Sequence, residues 1–264
     1  RHRRQDPVWS AFVQDEVALV AERLGVSLGA KLEHNPFTGV EVQPSARLLW
    51  TPGAAHSAWA AVSRAVRTPS LAEDDIRSHG LSRGAAPPVF PRVTGNPRLG
   101  TEAVLAYEAG YRVQATAALS VDAAAFYNVY DGLVTFVPGT PEPGPGGSTV
   151  RPLVYRNAVD GETYGAEVAA DWHPTGGWAL YGAYSFLRMQ LHPDPGAPAT
   201  AAAEEGKSPA HQAYLQSSWD LGRTVECDLT GRYVGRLTGF NPSGAAGLVD
   251  AVSAYTTLDA RLAW

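Results

Sequence analysis

One stretch of the chain has a spacing that could bind phosphate, but its surroundings argue against that use. Residues 201–208 read AAAEEGKS, which satisfies a relaxed P-loop pattern. A P-loop needs a preceding strand and a helix that begins at the Lys-Ser pair, so that backbone N–H groups face the phosphate. Here Pro209 follows at once and a Pro-rich run precedes, so the segment is predicted to be a loop that binds no nucleotide.

Other reactive side chains are scattered. The chain has no H-E-x-x-H motif, and Cys227 is its single cysteine, so no paired-cysteine metal site can form. His34, His79 and His192 match no metal-site spacing and are interpreted as single surface histidines. The sequence therefore predicts neither an enzyme nor a resident metal or cofactor.

A long segment rich in Pro, Gly and charge, residues 67–100, concentrates positive side chains. Guanidinium groups pair well with carboxylate and catecholate oxygens, so this segment could contact an anionic metal chelate. Three acids at positions 73–75 offset the positive charge, and an ordinary solvated loop is the alternative. The arginines are Arg67, Arg77, Arg83 and Arg92, which are the predicted ligand contacts, and Arg98.

Mixed charges also recur at alternate positions of the predicted strands. In a membrane barrel such a row would face a wet lumen, and in a soluble protein it would be the solvated face of a sheet. The row comprises Lys31, Glu33, Glu41, Arg47, Glu108, Arg112, Asp122, Glu167 and Asp171, continued by Asp228, Arg232, Asp259 and Arg261.

Eleven segments are predicted to be β-strands, and no helical period follows any of them. Most alternate apolar and polar side chains, as in residues 119–130, where Leu119 and Val121 flank Ser120 and precede Asp122. The predicted strands are residues 8–20, 26–33, 40–50, 57–66, 101–113, 119–130, 163–172, 178–186, 213–221, 224–234 and 255–264.

The connections between these strands alternate in length along the later chain. The short ones are residues 52–56, 114–118, 173–177 and 220–223, and the long ones are residues 67–100, 131–156, 190–208 and 237–252. Transmembrane barrels have short periplasmic turns and long extracellular loops, whereas a soluble sandwich has no reason to collect its long loops at one end. This rhythm favours an all-β, antiparallel transmembrane barrel.

Composition agrees with a membrane-embedded sheet. Only 18% of the 264 residues are charged, below the roughly 25% usual for soluble domains, and the net charge of −5 offers no basic surface for nucleic acid. No apolar run approaches the roughly 18 residues of a transmembrane helix, so any membrane span must be a strand. Cys227 is expected to face lipid. Six tryptophans are expected to form interfacial girdles on the apolar faces: Trp9, Trp50, Trp172, Trp178, Trp219 and Trp264.

Four blocks of the sequence resemble the barrel region of TonB-dependent outer-membrane receptors of Gram-negative bacteria. They begin with KLEHNPFTGVEVQPSARLLWTPGAAHSAWAAVSRAVRTPS and continue through GNPRLGTEAVLAYEAGYR, ALSVDAAAFYNVYDGL and NAVDGETYGAEVAADWHP. In that family the turn TP–SRAVRTP and the block NP-x-L-x-x-E…YE-x-GYR recur in this order. The ordered series is more specific than any single block, and it covers nearly the whole chain.

The resemblance implies a 22-stranded barrel filled by a plug domain and energised through TonB, with a ferric siderophore or a cobalamin-like chelate as substrate. About eleven strands are half of such a barrel. Residues 1–264 are therefore expected to be a partial barrel domain without signal peptide, TonB box, plug or final strands. The mixed-charge row would then contact the plug. The alternatives are a passive porin-like channel and a soluble β-rich binding module.

Overall fold

The computed structural model describes residues 7–80, 87–222, 224–240 and 250–264. Within these ranges the strands are β1 (Trp9–Val20), β2 (Leu24–Asn35), β3 (Gly39–Gly53), β4 (His56–Arg67), β5 (Arg77–His79), β6 (Val89–Thr94), β7 (Glu102–Thr116), β8 (Leu119–Pro138), β9 (Glu142–Pro143), β10 (Thr149–Thr175), β11 (Trp178–Pro193), β12 (His211–Asp220), β13 (Glu226–Val234), β14 (Leu237–Phe240), β15 (Asp250–Val252) and β16 (Tyr255–Ala263). One short helix, α1, spans Leu71–Asp75, and 3-10 helices span Pro145–Gly147 and Ala199–Lys207.

Eleven strands form one large antiparallel sheet in the order β1-β2-β3-β4-β7-β8-β10-β11-β12-β13-β16. Each pairs with the next of these strands along the chain, as in an up-and-down barrel wall. The sheet is open, with β1 and β16 at its two edges. This confirms the predicted antiparallel barrel architecture of eleven strands, each of which overlaps its expected position.

All the long connections leave from the same end of the sheet, called here the long-loop end. The opposite short-turn end contains the β3–β4, β7–β8 and β10–β11 turns. This arrangement confirms the predicted pattern of short turns and long loops. The β2–β3 connection is a short exception at the long-loop end, where Asn35 accepts hydrogen bonds from the backbone N–H groups of Phe37 and Thr38 (both 2.9 Å).

Three strands reach further toward the long-loop end than expected. β8 continues to Pro138 and β11 to Pro193, and β10 begins at Thr149. Much of residues 131–156 is therefore a hairpin rather than a loop. The alternating pattern ends where a hairpin projects beyond the bilayer, because water contacts both of its faces and selects no apolar side. The prediction from alternation therefore ended these strands too early.

The described parts of the segment 67–100, residues 67–80 and 87–100, are also more structured than a plain loop. They contain α1, β5 and β6, and β6 pairs in parallel with the long-loop end of β10, from Val89 opposite Thr149 to Thr94 opposite Val154. β5 pairs in antiparallel with the edge of β6 that does not face β10. Buried side chains of this region include Leu99 and Val159, which are 5% and 4% exposed. In the described chain, the buried apolar side chains lie where this segment packs on β10.

Candidate functional site

The pairing register places the predicted mixed-charge row on one face of the sheet, called here the polar face. Residues directly opposite each other in an antiparallel ladder share a face. Glu33 lies opposite Glu41, Arg112 opposite Asp122, and Asp228 opposite Arg261. The same register places the whole row on this face: Lys31, Glu33, Glu41, Arg47, Glu108, Arg112, Asp122, Glu167, Asp171, Asp228, Arg232, Asp259 and Arg261. Their contact with a plug stays a prediction.

Ion pairs balance much of the charge on the polar face. Arg112 Nε donates to Asp122 Oδ2 (2.6 Å), and Lys31 Nζ donates to Glu33 Oε2 (2.7 Å). The Arg47 guanidinium lies 4.9 Å from the ring centroid of Trp59, the one tryptophan not assigned to a girdle. Exposed pairs of this kind contribute at most about 1 kcal/mol each to stability. The face therefore mixes the two signs, with five cations and eight anions in the row, and many of these charges are paired with each other.

The opposite, apolar face leaves large hydrophobic side chains exposed, among them Val168 (41%) and Leu258 (83%). A continuous exposed apolar surface of this size is typical of a membrane-facing wall. Cys227 lies on this face, because it pairs with Trp219 and Leu262. Asp15 is an exception that interrupts the apolar face on the edge strand β1, opposite Leu28.

Aromatic rings border the apolar face at both ends. Tyr107, Tyr127, Tyr164 and Phe186 form a row toward the long-loop end, with successive ring centroids 6.4–6.5 Å apart. Tyr164 and Trp172 are eight residues apart on β10, which is on the order of 27 Å along the strand. If the strands tilt by about 40° from the membrane normal, the apolar band between the two aromatic rows is slightly thinner than the roughly 25 Å typical of such barrels.

The tryptophans divide unequally between the two ends. Trp9 lies at the long-loop end, with its ring centroid 5.7 Å from that of His34. The other five predicted girdle tryptophans lie at the short-turn end: Trp50, Trp172, Trp178, Trp219 and Trp264. The row at the long-loop end is therefore formed chiefly by tyrosines and Phe186.

An ion-pair network anchors residues 67–100 over the polar face. Arg67, at the end of β4, binds Glu102 through Nε and Glu73 of α1 through both terminal nitrogens (2.8 and 3.1 Å). The second oxygen of Glu102 accepts the backbone N–H of Val134 (2.6 Å). Ser70 caps α1 in a capping box with Glu73. The SRAVRTP segment at the end of β4 and the NP-x-L-x-x-E block thus meet in space through Arg67 and Glu102.

Two asparagines complete this anchor. Asn96 donates its side-chain amide to the carbonyl of Tyr155 (2.9 Å) and accepts the backbone N–H of Arg98 (3.0 Å). Asn157 accepts the backbone N–H of Gly100 (2.9 Å) and donates to the carbonyl of Gly132 (2.6 Å). These bonds tie the returning segment to β10, so it folds across the long-loop end instead of projecting away.

A cavity of about 980 Å³ lies beneath these segments at the long-loop end, and is called here the vestibule. Its walls come from β8, β10 and β11, and it is closed in part by α1 and by the 3-10 helix Ala199–Lys207. Phe136 and Tyr155 pack in its wall with ring centroids 4.4 Å apart. A concave, mostly apolar cavity with a few polar groups is the usual form of a small-molecule site, and 980 Å³ admits a ligand larger than a simple ion.

The predicted ligand arginines do not converge on one point. Arg67 is held by two carboxylates, and Arg92 of β6 binds Glu142 through two hydrogen bonds (2.7 and 2.9 Å). That contact raises the pKa of Arg92 and lowers the pKa of Glu142. Arg77 lies exposed on β5, and Arg83 falls outside the described residues. Chelate binding by these four arginines stays a prediction.

Sequence reasoning missed the residues that form the vestibule wall. Arg151, Phe136 and Tyr155 lie in the stretch that was predicted to be a long loop. The β-favouring run LVTFV at residues 133–137 was the available signal, since branched and aromatic residues fit a pleated strand.

The remaining reactive side chains of the described residues form no metal centre. Within the described ranges, no three His, Cys, Asp or Glu side chains gather to hold a metal ion. His192 contacts Glu162 (2.9 Å), while His34 packs on Trp9. Residues 80–84 read G-x-S-x-G, and residues 81–84 of this motif lie outside the described ranges. No helix in the described part is long and apolar enough to cross a membrane.

The first prediction concerns the pH dependence of the anchor. The Arg67 guanidinium, helped by the Ser70 backbone N–H and hydroxyl, lowers the pKa of Glu73 to about 2. Because the pKa is depressed in the folded state, the stabilisation is complete above the ordinary glutamate pKa of about 4.3 and is lost as pH falls toward 2. Carboxyl NMR of selectively labelled protein should show Glu73 titrating near pH 2. A midpoint near 4 would contradict the pairing.

Comparisons with known proteins agree with this architecture. The family model described as TonB dependent receptor-like, beta-barrel, matches residues 2–264. The iron-regulated outer membrane virulence protein of Vibrio cholerae O395 is 27% identical over 187 residues, which cover 69% of this chain and 27% of that protein. The chain therefore spans about a quarter of the length of this curated relative.

Solved receptor structures share the fold. The siderophore receptor PirA of Acinetobacter baumannii superposes with a TM-score of 0.73 at 16% identity, covering 97% of this chain and 39% of that one. The FrpB iron transporter of Neisseria meningitidis gives a TM-score of 0.68 at 14% identity, covering 98% and 38%. The family match and the outer-membrane relatives confirm the expected location in the Gram-negative outer membrane, and the family is one of receptors rather than enzymes. The chain belongs to the family of TonB-dependent receptor-like β-barrels.

Proposed function

We propose that this chain forms part of the wall of a receptor that imports a metal chelate across the outer membrane, with energy delivered through TonB. The observation that carries the proposal is the family match over residues 2–264, together with a vestibule at the long-loop end. In this assignment the long-loop end faces the exterior. The chain spans 36–48% of the solved receptors, so the plug, the contact with TonB and the remaining strands belong to the proposal.

The descriptions of the relatives point to iron as the metal. Two solved neighbours are described as siderophore receptors. Five more are structures of the ferric enterobactin receptor of Pseudomonas aeruginosa, including one with a TM-score of 0.72 at 16% identity. The curated relatives are iron-regulated. A ferric siderophore is therefore the leading cargo, and a cobalamin-like chelate is the second.

The polar face has a role in the same proposal. Its alternating cations and anions would hydrogen-bond a plug domain that fills the lumen, and would bind water when the plug moves. Charge balance suits this role, because a surface that already pairs most of its own ions can release a polar partner without exposing many uncompensated charges. The exposed apolar face would contact lipid.

The second prediction tests the proposed uptake. Cells that carry the receptor as their sole route for a ferric chelate should accumulate radioactive iron, and deletion of the receptor gene should lower that uptake at least about tenfold. Loss of TonB should have the same effect. A receptor that still mediates uptake at an undiminished rate without TonB would contradict the proposal.

That contradictory result would favour the second candidate, a passive porin-like channel. The wet polar face supports this candidate, because a water-filled lumen requires such a surface. A plug domain and TonB box encoded with this barrel would support the receptor. The soluble β-rich module is not retained, because the family is one of outer-membrane barrels.

A further inference from the structure

The wall of the vestibule is largely apolar. Phe136 and Tyr155 form one side with ring centroids 4.4 Å apart, and Leu153, Val159 and Leu191 continue the surface. These side chains offer dispersion contacts and ring stacking, and they cannot compensate the charge of a bound ion. The part of a ligand that packs on this wall loses its hydration, so a charge on that part must meet a protein charge of opposite sign.

The charged side chains of the vestibule are mostly negative. They are Glu73, Glu102, Glu204 and Arg151. Arg67 already binds both Glu73 and Glu102, which leaves this group with a net negative charge, and Lys207 binds Glu204. Arg151 is the one lining cation, and it has no ion-pair partner among the described residues. The lining and its direct partners are therefore close to neutral.

The cations of the surrounding segment do not change this balance. Arg92 on β6 is paired with Glu142 and does not line the vestibule. A polyanionic chelate would meet a single unpaired guanidinium, because the three lining carboxylates already hold Arg67 and Lys207. Most of its charge would lack a partner, and its desolvation would be costly. A neutral chelate with apolar arms meets neither obstacle.

We infer that the vestibule selects a metal chelate that is neutral or singly anionic and partly apolar, and that it discriminates against polyanionic chelates. This inference rests on the proposed function and specifies its substrate class. Arg151 would bind a single carboxylate or a polar edge of the ligand, while the Phe136–Tyr155 pair packs against its apolar part. Discrimination comes from the shortage of free cations for a polyanion as well as from contacts that fit the right ligand.

The third prediction tests the selection by chelate charge with two ferric probes that bind to the full receptor. A ferric trihydroxamate is neutral, and a ferric tricatecholate is trianionic. Equilibrium binding, followed by tryptophan fluorescence quenching, should be at least about tenfold tighter for the trihydroxamate. Because the favoured interaction is not ionic, its affinity should change less than about twofold between low and high salt.

Variants separate the apolar wall from the carboxylates. Phe136→Ser should weaken trihydroxamate binding about fivefold or more. Glu204→Gln releases Lys207 and should improve tricatecholate binding severalfold relative to trihydroxamate binding. Glu162→Gln is the matched control, since Glu162 pairs with His192 and does not line the vestibule. Glu162→Gln should change the affinity for neither the trihydroxamate nor the tricatecholate.

The outcomes separate the inference from the proposed function. Tighter binding of the tricatecholate, lost on substitution of Arg77 or Arg92, would overturn the inference and support the loop arginines as ligand contacts, while leaving chelate uptake intact. Binding of neither probe, with no iron uptake by the cell from any ferric chelate, would overturn the inference and the proposed function together.

Discussion

Val168→Arg should prevent assembly of the protein in the outer membrane. Val168 lies on the apolar face four residues from both Tyr164 and Trp172, midway between the two aromatic rows. A lipid-facing arginine at the bilayer midplane costs roughly 2–4 kcal/mol, and the cost decreases toward either interface. Val121 pairs with Ala170, nearer the short-turn end, so Val121→Arg should be harmful to a smaller degree. The measurement is the amount of heat-modifiable protein in isolated outer membranes.

The adjacent residue supplies a matched control. Glu167 precedes Val168 on β10 and lies on the polar face, so Glu167→Arg introduces the same side chain at the same depth on the wet side. Asp122→Arg serves equally, although it removes the ion pair with Arg112. Both proteins should assemble at near wild-type levels. Equal tolerance of arginine on the two faces would contradict a membrane-spanning wall.

Arg67→Met should release residues 68–100 from the long-loop end of the sheet. The substitution leaves Glu73 and Glu102, whose side chains are 13% and 16% exposed, without their shared counterion. Removing one partner of a fully buried pair costs about 3–5 kcal/mol, and the half-exposed position of Arg67 reduces the expected cost to about 2 kcal/mol. Hydrogen exchange of the α1 amides should accelerate about thirtyfold.

Arg98→Met is the control for this prediction. Arg98 lies in the same segment, and its side chain makes no ion pair among the described residues, so exchange in α1 should be unaffected. A matching acceleration in both variants would show that the segment responds to any loss of positive charge. Unchanged exchange in Arg67→Met would show that the asparagines alone hold the segment.

The strands of the wall were predictable because the bilayer imposes two different solvents on them. Val121 and Val168 must face lipid and Asp122 and Glu167 must face water, so the sequence alternates wherever a strand crosses the membrane. Beyond the aromatic row this constraint ends. The strand at residues 133–138 and the early part of β10 therefore have no alternation by which they could be recognised.

The vestibule was not predictable for a different reason. Glu102 and Arg67 are 35 positions apart, and Asn96 reaches a carbonyl 59 positions away. Local spacing contains no information about such contacts, and the parallel pairing of β6 with β10 has no turn signal because its strands are far apart in the sequence. The number of arginines in residues 67–100 indicated a cationic loop. The carboxylates that pair with Arg67 and Arg92 are identified only by the tertiary structure.

The sequence by itself determined that this chain is an antiparallel membrane wall of eleven strands with one wet face, because side-chain alternation is a local property that each strand must satisfy separately. The tertiary structure alone decided what the long-loop end can bind. There the charges of Arg67 and Arg92 are neutralised by distant carboxylates, and an apolar cavity opens beneath them, because loop folding depends on contacts between segments rather than on the pattern within any one of them.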